Sequence, residues 1–266
     1  MDRIEVNGTN IAYRFDGPQG RPVVTLSHSL SSDYRMWDGQ IAALTKRWRV
    51  LRFDSHGHGQ SAVPPPPYAL SRLPADIAGL LDRLGIAKTM FVGLSMGGMI
   101  GQHLGLDHAH KLLGLALCCT TSRIPPEGKA LWDERLATVA AQGMDSQVEG
   151  TLGRWFTPDF RANHHDRVAP IAAQIRATPA NGFIGWGRAI QGLDLTDRLA
   201  AIRVPTLVLS GALDPGTPPA AGQAIADRIP GARFQAIAGA SHLANVEQPE
   251  AFTQALVAFL EDVMPA

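Results

Sequence analysis

The chain has 266 residues, 45% of them hydrophobic, which is enough to bury one substantial core. Its 24 Lys and Arg balance 24 Asp and Glu, so no net charge draws it to nucleic acid or to an anionic membrane surface. The longest apolar stretch, residues 112–119, is far below the roughly 18 residues of a membrane helix.

The charged opening Met1-Asp2-Arg3-Ile4-Glu5 lacks the apolar centre of a secretory signal. Cys118 and Cys119 are neighbours in an apolar run, where a disulfide would be strained and buried thiols are the ordinary outcome. Both features lead to the expectation of a reducing, cytoplasmic setting.

In chain order, residues 4–6 and 11–15 alternate about Asn7-Gly8, the dipeptide of a tight hairpin. Residues 23–27 and 50–53 are short apolar strands separated by helical spacing over 36–44, the pattern of a crossover unit. Leu73, Ile77, Leu80, Leu81 and Leu84 share one helix face, and Gly85 supplies the left-handed residue of a helix end. Strands over 90–92, 112–119, 206–209 and 234–237 then alternate with helices over 99–106, 220–229 and 249–263.

This alternation predicts an α/β fold, a mostly parallel sheet with helices on both faces. Residues 125–195 break it, because their spacing is helical, without a strand, and punctuated by Pro158, Pro170 and Pro179. They are expected to form a helical cap inserted between residues 1–124 and 196–266 of the core. The proline run at 64–67 reads as a stiff surface loop.

The strongest chemical signal is Gly93-Leu94-Ser95-Met96-Gly97-Gly98, a G-x-S-x-G motif directly after one predicted strand and before a predicted helix. A serine on such a turn has its hydroxyl exposed, and the helix N-terminus behind it offers N–H groups to developing negative charge. A serine hydroxyl alone is a weak nucleophile, so the motif demands a downstream acid and then a histidine. Asp214 follows the strand over 206–209, and His242 follows the last strand, in that order. The plainer readings are a turn aspartate before Pro215 and an exposed loop histidine.

His28, after the strand over 23–27, sits where an oxyanion loop belongs. It is expected to order that loop, with the backbone N–H groups of Leu30 and Met96 holding the oxyanion. His56 with His58, His108 with His110, and His164 with His165 lack the spacing and partners of a metal site, so no metal is expected. No dinucleotide or phosphate loop motif occurs, so no nucleotide cofactor is expected.

The combined pattern resembles the α/β-hydrolase superfamily over residues 3–263, and within it the bacterial 3-oxoadipate enol-lactonases. The stretches that carry it are Ser27-His28-Ser29-Leu30, the loop over 54–61, the long elbow phrase through Gln102, the cap phrase Arg154-Trp155-Phe156-Thr157, and Asn245-Val246-Glu247-Gln248-Pro249, and the elbow and cap phrases are what narrow it. Two positions depart from the pattern: Ser29 stands for the usual glycine and His56 for a common arginine.

The resemblance implies hydrolysis of a small anionic enol-lactone, without cofactor, nucleic acid or membrane, by Ser95, His242 and Asp214. It also implies a cationic patch under the cap, for which Trp132, Arg135 and Trp155 are the candidates. The same side chains could instead pack the cap or face solvent. A general carboxylesterase, a perhydrolase or a carbon–carbon bond hydrolase shares the motifs. A non-catalytic ligand-binding relative would be marked by loss of a triad member, and none is lost. The sequence assigns no oligomeric state.

Overall fold

The computed structural model describes residues 1–264. Strand β1 (Asp2–Val6) returns as β2 (Thr9–Asp16) through Asn7 and Gly8 at φ +50° and +78°. Two successive left-handed residues twist a two-residue turn to match the strands, and Asn-Gly tolerates that pair. The remaining strands are β3 (Val23–Ser27), β4 (Arg49–Phe53), β5 (Thr89–Leu94), β6 (Leu112–Cys118), β7 (Thr206–Gly211) and β8 (Arg233–Ile237).

They form one eight-stranded sheet in the order β1-β2-β4-β3-β5-β6-β7-β8, antiparallel at β1, β2 and β4 and parallel from β4 to β8. All six residues of β5 are buried, as the apolar run Met90-Phe91-Val92 requires of a central strand. Helices α1 (Asp38–Leu44) and α11 (Pro249–Val263) pack together, as do α2 (Leu73–Arg83) and α3 (Met96–Asp107), and α9 (Pro219–Ala226) lies on β7.

The sheet order places the chemistry. After β3 the chain crosses to β4 on one side and later to β5 on the other, with Ser27 of β3 beside Gly93 of β5. At such a reversal the loops leaving the carboxyl ends diverge and open a crevice. The His28 loop and the Ser95 turn are those two loops.

Between β6 and β7 lie five helices, α4 (Pro126–Gln142), α5 (Val148–Trp155), α6 (Pro158–Asn163), α7 (His165–Ala177) and α8 (Ala180–Gln191). The chain leaves and returns through a short ladder in which Ile124 N–H donates to Leu193 O at 3.0 Å and Leu195 N–H to Ser122 O at 2.8 Å. Pro158 opens α6, where a missing N–H costs nothing, and Pro179 caps α8. Pro170, however, lies inside α7 rather than punctuating the segment.

An 11-residue loop, α10 (Ala244–Glu247) included, joins the last strand to α11. Helix α8 seats on the loop after β4 through glycines. A Cβ on Gly182 would lie 1.9 Å from Gly57 O, and one on Gly185 would lie 2.6 Å from the Tyr68 ring. Trp186 Nε1–H donates to His56 O at 2.7 Å across the same contact. Both cysteines are buried free thiols, and burial pushes their pKa up.

Candidate active site

Ser95 joins β5 to α3 at φ +57° and ψ −113°, a left-handed conformation rare for a residue with a Cβ. The turn is fastened on both sides of the serine. Its N–H donates to Cys118 O at 2.8 Å, and its carbonyl accepts from Thr120 Oγ1 at 2.8 Å and Met99 N–H at 3.0 Å. The flanking glycines are steric necessities. A Cβ on Gly93 would lie 2.1 Å from Gly97 O, and one on Gly97 would lie 2.4 Å from Ser27 O.

Asp214 and His242 come from the loops after β7 and β8, and His242 Nδ1 lies 2.7 Å from Asp214 Oδ2. The carboxylate accepts more than that one bond. Oδ2 also takes the Thr217 hydroxyl at 2.6 Å, and Oδ1 takes the N–H groups of Gly216 and Thr217 at 2.8 and 3.0 Å. Burial alone would push the Asp214 pKa up, but the His242 ring and the donated bonds outweigh it and hold the carboxyl below its ordinary value. An ionised Asp214 keeps the proton on Nδ1 and leaves Nε2 as the basic nitrogen.

The His242 loop is tied to the inserted helices. Ser241 Oγ donates to Arg154 O at 3.0 Å and Leu243 N–H to Trp155 O at 3.1 Å. The buried Glu247 carboxylate bridges the same contact, accepting from Ser241 N–H at 2.7 Å and Thr157 N–H at 2.9 Å. The Trp155 ring stacks beside His242, with centroids 6.2 Å apart and planes 27° apart.

Ser95 and His242 line one cavity of about 280 Å³ together with Leu30, Trp132, Arg135 and Trp155. Met96, the first residue of α3, is buried beneath Ser95 and is not part of the lining. His28 holds the loop after β3. Its Nδ1–H donates to Ser29 O at 2.7 Å, and its Nε2 accepts the Ser55 N–H at 2.9 Å.

Arg135 stacks over Trp132 at 4.4 Å, and its Nε–H donates to Gln147 Oε1 at 3.3 Å. Arg154, which also lines the cavity, donates to Thr151 Oγ1 at 3.1 Å. Among the described residues neither guanidinium has a carboxylate within ion-pair distance. Burial, and then the charge of Arg154, push the Arg135 pKa down, and burial does the same to Arg154. The cavity therefore carries uncompensated positive charge, which an anionic ligand would relieve.

Sequence reasoning assigned no site role to Thr217 or Glu247, and it named Arg154 among the cap arginines while preferring Arg135 as the anion partner. Thr217 has a local signal, since Asp-x-Gly-Thr suits a turn in which the carboxylate receives following N–H groups. Glu247 has none, because its partners are 90 and six residues away along the chain. Among the described residues no three His, Cys, Asp or Glu side chains gather into a metal site, and no helix is long and apolar enough to cross a membrane.

The pattern described as "alpha/beta hydrolase fold" matches residues 22–249. The chain is 34% identical over 256 residues to 3-oxoadipate enol-lactonase 1 of Acinetobacter baylyi, covering 96% of this chain and 95% of that one. It is 34% identical over 245 residues to a proposed carbamate hydrolase, RutD, of Caulobacter vibrioides, covering 91% of each. The crystal structure of the enol-lactonase from Burkholderia xenovorans LB400 superposes with a TM-score of 0.94 at 40% identity, over 97% of this chain and 99% of that one. By sequence and by fold, the chain belongs to the α/β-hydrolase family and is a hydrolase.

Proposed function

We propose that the protein hydrolyses a small carboxylate-bearing enol-lactone, with 3-oxoadipate enol-lactone the best candidate, through a serine acyl-enzyme in the cytoplasm. The observation that carries this reading is the cavity. It sets Ser95 and His242 against two guanidiniums without carboxylate partners, within walls that include Trp132, Trp155 and Ile190. A neutral ester would leave those charges uncompensated, whereas a carboxylate answers them with charge-assisted hydrogen bonds. The similarity to enol-lactonases points the same way.

In this mechanism Ser95 Oγ attacks the lactone carbonyl while His242 Nε2 takes its proton. Asp214 keeps the ring in the Nδ1–H tautomer and stabilises the imidazolium that forms. The Leu30 and Met96 N–H groups receive the oxyanion. Collapse of the tetrahedral adduct breaks the ring C–O bond, and the enolate oxygen leaves with the proton from His242. The whole substrate stays attached as an acyl-enzyme, because the leaving oxygen is tethered to the acyl chain. Water, deprotonated by His242, then releases the diacid, and the enol relaxes to the ketone.

The residues 125–195 act in this reading as the cap domain, closing the cavity over Ser95 and supplying its cations. The test offers the enol-lactone, a neutral aryl ester and a carbamate to one preparation. The expected order of kcat/KM is lactone first by at least about 100-fold, the value of one or two charge-assisted bonds. A neutral ester or carbamate turned over faster than the lactone would overturn the assignment.

A further inference from the structure

His58 is wholly buried in the loop after β4, far in sequence from the residues of the proposed mechanism. Gly57 and Gly59 on either side of it adopt φ +80° and +50°, and a Cβ on Gly59 would lie 2.2 Å from Asp54 Oδ2. That carboxylate accepts the N–H groups of Gln60 at 2.8 Å and Tyr34 at 2.9 Å, which fastens the His58 turn to the loop after β3. The His58 ring faces that loop from behind. Its Nε2 accepts the Ser31 N–H at 3.1 Å, and its centroid lies 4.9 Å from that of His28.

We propose that His58 is a positioning residue for the oxyanion pocket, holding the peptide after Leu30 while His28 holds the peptide before it. The proposal rests on the reading of Ser95 as nucleophile with the Leu30 and Met96 N–H groups as oxyanion donors. A peptide is planar and trans, so its C=O and N–H point in opposite directions. His28 Nδ1–H, by donating to Ser29 O, turns the N–H of that same peptide, the Leu30 N–H, the other way. His58 grips the next peptide through the Ser31 N–H. With both planes fixed, both backbone dihedrals of Leu30 are set by the two rings, and Leu30 lines the cavity with Ser95.

Two further features fit this role better than simple packing. Ser31 is held at φ +63°, a left-handed conformation that a serine adopts only where its surroundings impose it. His58 Nδ1 is buried and makes no hydrogen bond of ordinary geometry among the described residues, with only a loose contact to the His56 backbone, so the ring's firm bond is the one at Nε2. What a histidine adds there is the acceptor at Nε2. It must be neutral and protonated on Nδ1, because a proton on Nε2 would meet the Ser31 N–H head-on.

The test compares His58→Leu, which removes the acceptor, with His58→Gln, whose amide oxygen reaches about the place of Nε2. Each is assayed with the enol-lactone and an alkylboronic acid. The boronic acid forms an Oγ–B bond to Ser95, passes the hydroxyl proton to His242, and becomes a tetrahedral anion in the oxyanion pocket.

Loss of one oxyanion donor costs about 100- to 1000-fold in kcat, so its misdirection in His58→Leu should cost about tenfold or more. KM and the affinity for the diacid product should stay within about twofold, boronate affinity should fall in parallel with kcat, and His58→Gln should recover most of both. Unchanged kcat in a folded His58→Leu protein, an equal loss of diacid affinity, or no recovery by His58→Gln would overturn the proposal.

Should His58→Leu fail to fold, ¹⁵N-histidine spectra of the wild-type protein decide. Protonation of His58 at Nδ1 supports the role, and protonation at Nε2 overturns it. A wild-type protein that binds no boronate and keeps its turnover in Ser95→Ala would instead overturn the reading on which the proposal rests.

Discussion

The two oxygens of Asp214 divide the work that the sequence left as alternatives. Oδ1 closes a turn by accepting the N–H groups of Gly216 and Thr217, while Oδ2 holds the His242 ring. A turn aspartate and a partner for histidine are therefore one residue. Thr217 bridges the functions, and Thr217→Val should remove one donor to the carboxylate, raise the Asp214 pKa and lower kcat by about tenfold, the worth of a hydrogen bond to a charged group. A pH–rate profile unchanged by that substitution would show that Thr217 only packs.

The arginines are read by a split in kinetics. Arg135→Ala should raise KM for the anionic lactone by about 10- to 100-fold and leave a neutral ester within about twofold. Equal effects on both substrates would mean that Arg135 supports the helices instead. Ser95, Asp214 and His242, which the fold brings to one place, were legible as candidates because a serine nucleophile would demand an acid and a histidine in that order after particular strands. Glu247 was not, since its partners Ser241 and Thr157 meet only once the helices between β6 and β7 dock beside His242.

At the scale of elements, strands and turns were legible where geometry leaves little choice. Asn7-Gly8 and Gly85 take the positive φ their positions require. Boundaries fared differently where tertiary contacts set them. Helix α3 starts at Met96, three residues before its apolar periodicity, because the elbow glycines belong to its first turn. Pro170 is accommodated inside α7, which periodicity and proline position together misread.

The close seat of α8 gives a direct check. Gly182→Ala places a methyl 1.9 Å from a backbone oxygen, so the helix or the loop must move. The expected cost is about 1–3 kcal/mol of stability, with a lowered Tm and reduced lactone turnover. A variant as stable and active as wild type would mean that α8 slides freely over the loop.

For the whole molecule, the balanced net charge excludes a steering field but not a local one, since Arg135 and Arg154 concentrate two positive charges in one cavity. Part of the stability against acid is set elsewhere, at His56. His56 packs between Tyr68 and Trp186 under α8, and burial, with the nearby Arg72, pushes its pKa down to about 4. An unfolded histidine titrates near about 6.5, so between those values the unfolded chain binds a proton that the folded one refuses.

The His56 contribution to stability should therefore fall as pH drops from about 6.5 to about 4 and level off below. His56→Gln should flatten that fall by about 1–3 kcal/mol, reduced by any pairing of the charged ring with Asp76. Parallel stability curves for the two proteins would exclude His56 as the source.

The most direct measurement is turnover of the enol-lactone by Ser95→Ala beside wild type, with circular dichroism and Tm confirming the fold of each. Removal of the nucleophile should lower kcat/KM by about 10⁴-fold or more while Tm is held. A folded Ser95→Ala protein that hydrolyses the lactone at near the wild-type rate would contradict the assignment of Ser95, His242 and Asp214.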